Sequence, residues 1–136
     1  MALQYKTELR NSQLDAIETY AGTSPVLRIY VASAPANANT ALSGQTQLVS
    51  MTLPSDWMQA AGSGQKLLNG SWSGTAGNNG TAAFFRIYKS GLADPADCVM
   101  QGTCGMGSGD MSLDNTSIAT GQTVTVTTFT ITAGNS

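Results

Sequence analysis

Histidine is absent from the chain, and charge is scarce: six Lys and Arg and eight Asp and Glu make up 10% of the residues, against about 25% in an average soluble protein. Losing histidine removes the commonest general base and the commonest metal ligand. The six cations, Lys6, Arg10, Arg28, Lys66, Arg86 and Lys89, stand singly. No basic run is present to neutralise a row of phosphates, so nucleic acid is not an expected partner. No apolar run approaches the roughly 18 residues that cross a bilayer as a helix, so no membrane is expected either. The opening Met1-Ala2-Leu3-Gln4-Tyr5-Lys6 has no apolar signal-peptide region, so none is expected. Without a secretory signal, the sequons at Asn69, Asn79 and Asn115 read as products of Asn/Gly/Ser/Thr loops.

Cysteine is rare too. Cys98 and Cys104 are the only two. On one straight strand they would lie about 20 Å apart at ~3.3 Å per residue, and a disulfide needs its α-carbons within about 7 Å. They pair only if Gly102 forms a tight turn; two free, mostly buried thiols are the favoured reading, and they suit a reducing cytoplasm.

What fills the chain instead is Gly, Ala, Ser, Thr and Asn. The length, 136 residues, suits one domain. Leu9, Leu14, Ile17, Tyr20 and Ala21 approximate a helical stripe. Asn11 or Ser12 is the expected cap, and Gly22 followed by Pro25 is the stop. Asp15 and Glu18 are expected to face solvent or a partner. After Pro25 the apolar period changes to two, as in Leu27, Ile29 and Val31. Strands are expected over residues 48–53, 67–72, 82–88 and 98–104, the last bent at Gly102. A short one at 111–113 and a long one after Gly121 follow. Asn79-Gly80 is a hairpin signal. In the last strand Val124 and Val126 share one parity while Phe129 and Ile131 share the other. Either a β-bulge near Thr127-Thr128 absorbs one residue, or both faces are buried. Leu27-Arg28-Ile29-Tyr30 recurs as Phe85-Arg86-Ile87-Tyr88, which reads as two equivalent strands with Leu27, Ile29, Phe85 and Ile87 inward. The expected fold is all-β: a single β-sandwich, jelly-roll or Ig-like, over residues 23–136, behind a short N-terminal helical arm at residues 1–22. The core should include Leu27, Ile29, Leu53, Phe85, Ile87, Val124 and Val126. The arm is expected to be an attachment element rather than part of that core, because it holds five of the charged residues, Lys6, Glu8, Arg10, Asp15 and Glu18.

No chemistry is legible. Asp94 with Asp97, and Asp110 with Asp114, are carboxylate pairs, but aspartate commonly forms turns and caps. Gly107-Ser108-Gly109-Asp110 with Asp114-Asn115 superficially resembles a calcium turn, yet lacks the D-x-[DN]-x-[DN]-G spacing. Cys98, Cys104 and the serines have no histidine to activate them. The glycine-rich runs contain no phosphate-loop pattern. Trp57 and Trp72 are the residues that could stack on a sugar, though tryptophan more often serves a core or interface. Hence no catalytic, cofactor-binding or metal residue is assigned, no cofactor or metal is expected, and the chain reads as a non-enzyme.

The segment from Ala2 to Glu18, then Leu27-Arg28-Ile29-Tyr30, Ala34-Pro35-Ala36, Leu53-Pro54-Ser55-Asp56-Trp57, Phe85-Arg86-Ile87-Tyr88, Met100-Gln101-Gly102-Thr103 and the stretch from Leu113 to Val126 together resemble a family of small proteins encoded by tailed bacteriophages and prophages among their virion structural genes. The resemblance spans nearly the whole chain and its motifs are structural. It implies an accessory virion protein, assembled in the bacterial cytoplasm. The expected role is a head decoration or cement protein that binds the capsid in many copies. The expected partners are capsid or other virion proteins, together with further copies of itself in a homo-oligomer. The alternative expectation is a neck, tail or fibre adhesin module that binds host-surface carbohydrate.

Overall fold

In the computed structural model, residues 3–133 are described. Helix α1 covers Thr7–Ala21, and ten strands follow. They are β1 Val26–Tyr30, β2 Gln47–Thr52, β3 Gln65–Leu67, β4 Ser73–Thr75, β5 Gly80–Thr81, β6 Phe84–Tyr88, β7 Cys98–Gly105, β8 Met111–Leu113, β9 Ser117–Ile118 and β10 Thr123–Thr132.

The expectation of an all-β chain with a short N-terminal helix holds. The two layers of a sandwich do not appear as separate sheets. One mixed sheet runs in the order β2-β1-β6-β7-β8-β10-β3, with β4 also paired to β10 and a small β5-β9 ladder beside it. The sheet curls until its ends meet: Val49 of β2 bridges Ala76 just past β4, and the Gly77 N–H donates to Leu48 O. Gly74 permits the approach, because a Cβ there would stand 2.9 Å from that of Met51. One pairing, β7 with β8, is parallel and only two residues long.

The repeated tetrapeptide becomes two neighbouring strands. Leu27 pairs with Ile87, Arg28 with Arg86, and Ile29 with Phe85 in an antiparallel ladder. All four apolar residues are buried, as are Leu53, Val124 and Val126. In β10 the register shifts between Val126 and Thr128, so that Val124, Val126 and Phe129 all point inward. The bulge therefore resolves the parity conflict. Trp57, Trp72, Phe129 and Phe85 form a chain of ring contacts through the interior, with successive centroids 5.9, 5.6 and 5.5 Å apart.

Several local expectations need correction. Strand β7 continues without interruption through Gly102; a Cβ there would lie 2.8 Å from the Phe85 ring, so the glycine serves close packing. Cys98 and Cys104 accordingly stay apart as free, half-buried thiols, and burial pushes Cys104 up to about 12. The strand expected over 67–72 is not formed: only Leu67 is in a strand, as the last residue of β3, and residues 69–72 are outside any strand. Asn79-Gly80 does not close a hairpin: Gly80 begins β5, which pairs with distant β9, and Asn79 Oδ1 accepts from the Thr120 N–H. Helix α1 begins at Thr7, with Lys6 as a cap that makes no side-chain bond, ahead of the expected caps Asn11 and Ser12. Ser12 Oγ donates back to Glu8 O instead, and Asn11 is spent on β3's approach, accepting from the Gly64 N–H. The stop at Gly22 holds, with its N–H donating to Glu18 O.

Candidate interaction surface

Two polar constructions organise the surface. The first fastens α1. Alternation in β3 turns Lys66 inward, where its side chain is 1% exposed. A buried ammonium requires compensation, and α1 supplies it from successive turns: Asp15 Oδ1 at 2.7 Å and Glu18 Oε1 at 2.9 Å. Asp15 Oδ1 also accepts from the Ala61 N–H, and Arg10 Nε donates to Ala133 O. Leu14 and Ala21 are buried beneath the helix. Glu18 thus faces its own sheet, contrary to the expectation of solvent or a partner, while Asp15 bonds to the sheet with its side chain still 55% exposed, so that expectation holds for it in part. The boundary at residue 22 marks a change of secondary structure, across which α1 packs closely on the strands.

This clasp has a definite pH signature. The Lys66 hydrogen bond, helped by the Ala61 N–H, holds the Asp15 carboxyl below its ordinary 3.8. Burial pulls Lys66 down, but the bonds to Asp15 and Glu18 outweigh it, and the ammonium is held above its ordinary 10.5. A carboxyl depressed on folding contributes stability above its unfolded value and loses it as pH falls through the folded one. Asp15 therefore contributes fully above about pH 4 and stops contributing below its depressed value. Lys66 contributes below about pH 10.5 and is lost as pH rises past its elevated value. Because Asp15 is half exposed, Asp15→Asn should cost only about 1 kcal/mol. Lys66→Met, which removes the buried charge and keeps the volume, should be neutral or stabilising and should flatten the acid limb. Urea titrations between pH 2 and 7 check both; a large loss of stability in Lys66→Met would contradict them.

The second construction covers the outer face of β1 and β6. Arg86, buried at the centre of β6, spends its guanidinium on four acceptors. Nη1 donates to Asp94 Oδ1 at 2.7 Å, Nε to Gln101 Oε1, and Nη2 to Asn37 O and Thr40 O. Asp94 also accepts from the Tyr88 hydroxyl and the Leu42 N–H. Desolvation would raise the Asp94 carboxyl, but the donors around it hold it below its ordinary value. Burial pushes the Tyr88 hydroxyl far above its ordinary range. The loops at residues 31–46 and 89–97 are thereby stitched onto the sheet.

The remaining candidates are also occupied by folding. Asp97 Oδ2 accepts from the Ala93 N–H, Asp110 Oδ2 from the Thr103 N–H and hydroxyl, and Asp114 Oδ1 from the Thr125 N–H. Neither aspartate pair is brought together as an acid–base dyad, and the calcium-turn oxygens of Asp110 and Asp114 are directed at backbone donors. Among the described residues no group of three potential metal ligands converges. Trp57 and Trp72 are at most 1% exposed, so neither presents a ring to a sugar.

Sequence reasoning missed Lys66 and Arg86, the two buried cations. Arg86 lay in the middle of an expected strand, where a charge must be either edge-exposed or paired, but Lys66 fell just outside the strand expected over 67–72.

Two grooves flank α1. One, of about 510 Å³, is polar and includes Asp15, Glu18, Asp56 and Lys66. The other, of about 400 Å³, is apolar and lies between Ile17 and Tyr20 of α1, Val99 and Met100 of β7, and Ile131 of β10. In the polar groove the Lys66 amine is ion-paired with Asp15 and Glu18, and the lining of the apolar groove holds no charged side chain. Strand β10 alone exposes Thr123, Thr127, Thr128, Thr130 and Thr132, and exposed charges, among them Lys6, Glu8, Asp110 and Asp114, lie elsewhere. Comparison with family models, with curated proteins and with solved structures gives no match.

Proposed function

We propose that this chain is a non-enzymatic structural protein of a tailed-phage particle, a head decoration protein carried on the capsid in many copies. The observation that carries this reading is how the polar groups are used. The carboxylates considered as chemistry, and both buried cations, are committed to fastening the helix and loops onto one curled sheet. What is left outside is a hydroxyl-rich surface, sparing in charge, beside an apolar groove. Such a body offers contact area, which is what a shell component needs; a catalyst needs convergent, uncommitted groups. The sequence resemblance to virion proteins points the same way. A sugar-binding adhesin loses support, because its two candidate stacking rings lie in the core.

The test is reconstitution. Purified protein is mixed with phage heads assembled without it, and bound protein is quantified after sedimentation. Saturable binding at many sites per head is expected; absence of binding to heads, with binding to tails or to host polysaccharide instead, would overturn the proposal.

A further inference from the structure

Two Asn-Gly pairs occur in the chain, Asn69-Gly70 and Asn79-Gly80. Neither joins strands that pair with each other: the first lies between β3 and β4, the second between β4 and β5. The pair carries its own chemistry. Glycine has no Cβ, so its backbone nitrogen can reach the side-chain carbonyl carbon of the asparagine before it. The nitrogen attacks Cγ and gives its proton to solvent base, Nδ2 leaves as ammonia, and a cyclic imide remains. Water then opens the imide at either carbonyl, giving aspartate or a β-linked isoaspartate. Water is taken up and ammonia is lost. How fast this runs depends on how firmly the fold holds each asparagine.

Asn69 is held on three sides. Its N–H donates to Trp57 O, its Nδ2 donates to Asp56 O at 2.9 Å, and its carbonyl accepts from Trp72 Nε1 at 3.1 Å. The leaving nitrogen is engaged, and the main chain is tied to two core tryptophans. Asn79 differs. It is exposed, and its Oδ1 accepts from the Thr120 N–H at 2.7 Å. That donor polarises the carbonyl under attack and stabilises the charge that builds on its oxygen. Gly80 opens β5, whose ladder with β9 is only Gly80 with Ile118 and Thr81 with Ser117, so local opening takes little free energy. The glycine is also required by packing: a Cβ there would stand 2.6 Å from Val31 Cγ1 and 3.1 Å from Leu48 Cδ2. The fold thus keeps a glycine directly after an exposed asparagine.

We propose that Asn79 is a site of spontaneous deamidation through a cyclic imide, and that the fold protects Asn69 from the same reaction. Conversion adds one negative charge to a chain of net charge −2. The β-linked product also lengthens the main chain where it enters β5, which disrupts the short ladder with β9. The reaction needs no partner, so it stands apart from the placement in a virion.

The test holds the full chain in mildly alkaline buffer made with heavy-oxygen water, in parallel with and without concentrated urea. Peptide mapping by mass spectrometry quantifies conversion at each asparagine, the heavy oxygen marking events during the incubation. Labelling by an isoaspartyl methyltransferase reports the β-linked product. In urea both pairs should convert at similar rates. In the folded protein Asn79 should stay within about tenfold of its urea rate, while Asn69 slows by more than about tenfold. Folded Asn69 converting as fast as Asn79, Asn79 slowed as much as Asn69, or a product at Asn79 without isoaspartate would each overturn the proposal.

Discussion

Phe85→Ala will destabilise the protein by about 3–5 kcal/mol, the range for truncating a large aromatic in a packed core. Phe85 is 1% exposed at the middle of β6. Its ring stands edge-on to Phe129 at 5.5 Å and lies over Gly102. Through Phe129 it touches the two tryptophans. Alanine would open a cavity in the middle of this chain of rings, and the curled sheet around it is fixed by ladders on both sides, so little collapse is available. Phe85→Leu keeps most of the volume and should cost less than half as much. Urea denaturation of the three proteins measures the differences. A cost below about 1 kcal/mol for Phe85→Ala would mean that the interior is not organised around β6.

Asp94→Ala will cost a comparable amount, about 3–5 kcal/mol, for an electrostatic reason. It leaves the Arg86 guanidinium in place, fully buried, with its charge partner gone. It also frees the Tyr88 hydroxyl and the Leu42 N–H from their acceptor. Gln101 and the carbonyls of Asn37 and Thr40 remain as dipoles, but dipoles do not replace a carboxylate. Arg86→Lys will not be conservative, since a lysine cannot reach four acceptors in a planar fork. Arg86→Met should cost less than Asp94→Ala, because it removes the buried charge itself and not its compensation. The reverse order in denaturant midpoints would contradict this account of the loops.

Legibility in the sequence followed the range of the interactions. Alternation identified Leu27, Ile29, Phe85 and Ile87 as inward residues because side-chain direction in a strand is a local property. The parity break between Val126 and Phe129 announced the bulge for the same reason. The capping rule failed because the helix starts earlier and Asn11 and Ser12 both lie inside it: Asn11 reaches Gly64, far along the chain, and Ser12 bonds back to Glu8 O. Lys66 looked like an ordinary surface cation, since its carboxylates lie 51 and 48 residues earlier. Arg86 was equally opaque, as its main-chain acceptors come from a loop 46 to 49 residues away. Closure of the sheet through Val49 and Ala76, and the short parallel contact of β7 with β8, are long-range events with no local signature. That is why the sequence supported an all-β reading with an N-terminal helix but did not disclose how one curled sheet closes on itself. The candidate site was hardest to read, because a groove made by α1, β7 and β10 belongs to no single segment.

The central claim is that this protein is a repeated structural part of a phage head, and its abundance in the particle tests that claim most directly. Virions purified from a phage encoding the chain can be quantified by mass spectrometry against an isotope-labelled standard, with the major capsid protein as the internal reference. The account predicts on the order of tens to hundreds of copies per particle, in fixed ratio to the capsid protein, as symmetric occupancy of a shell requires. A handful of copies, or none in intact virions, would contradict it.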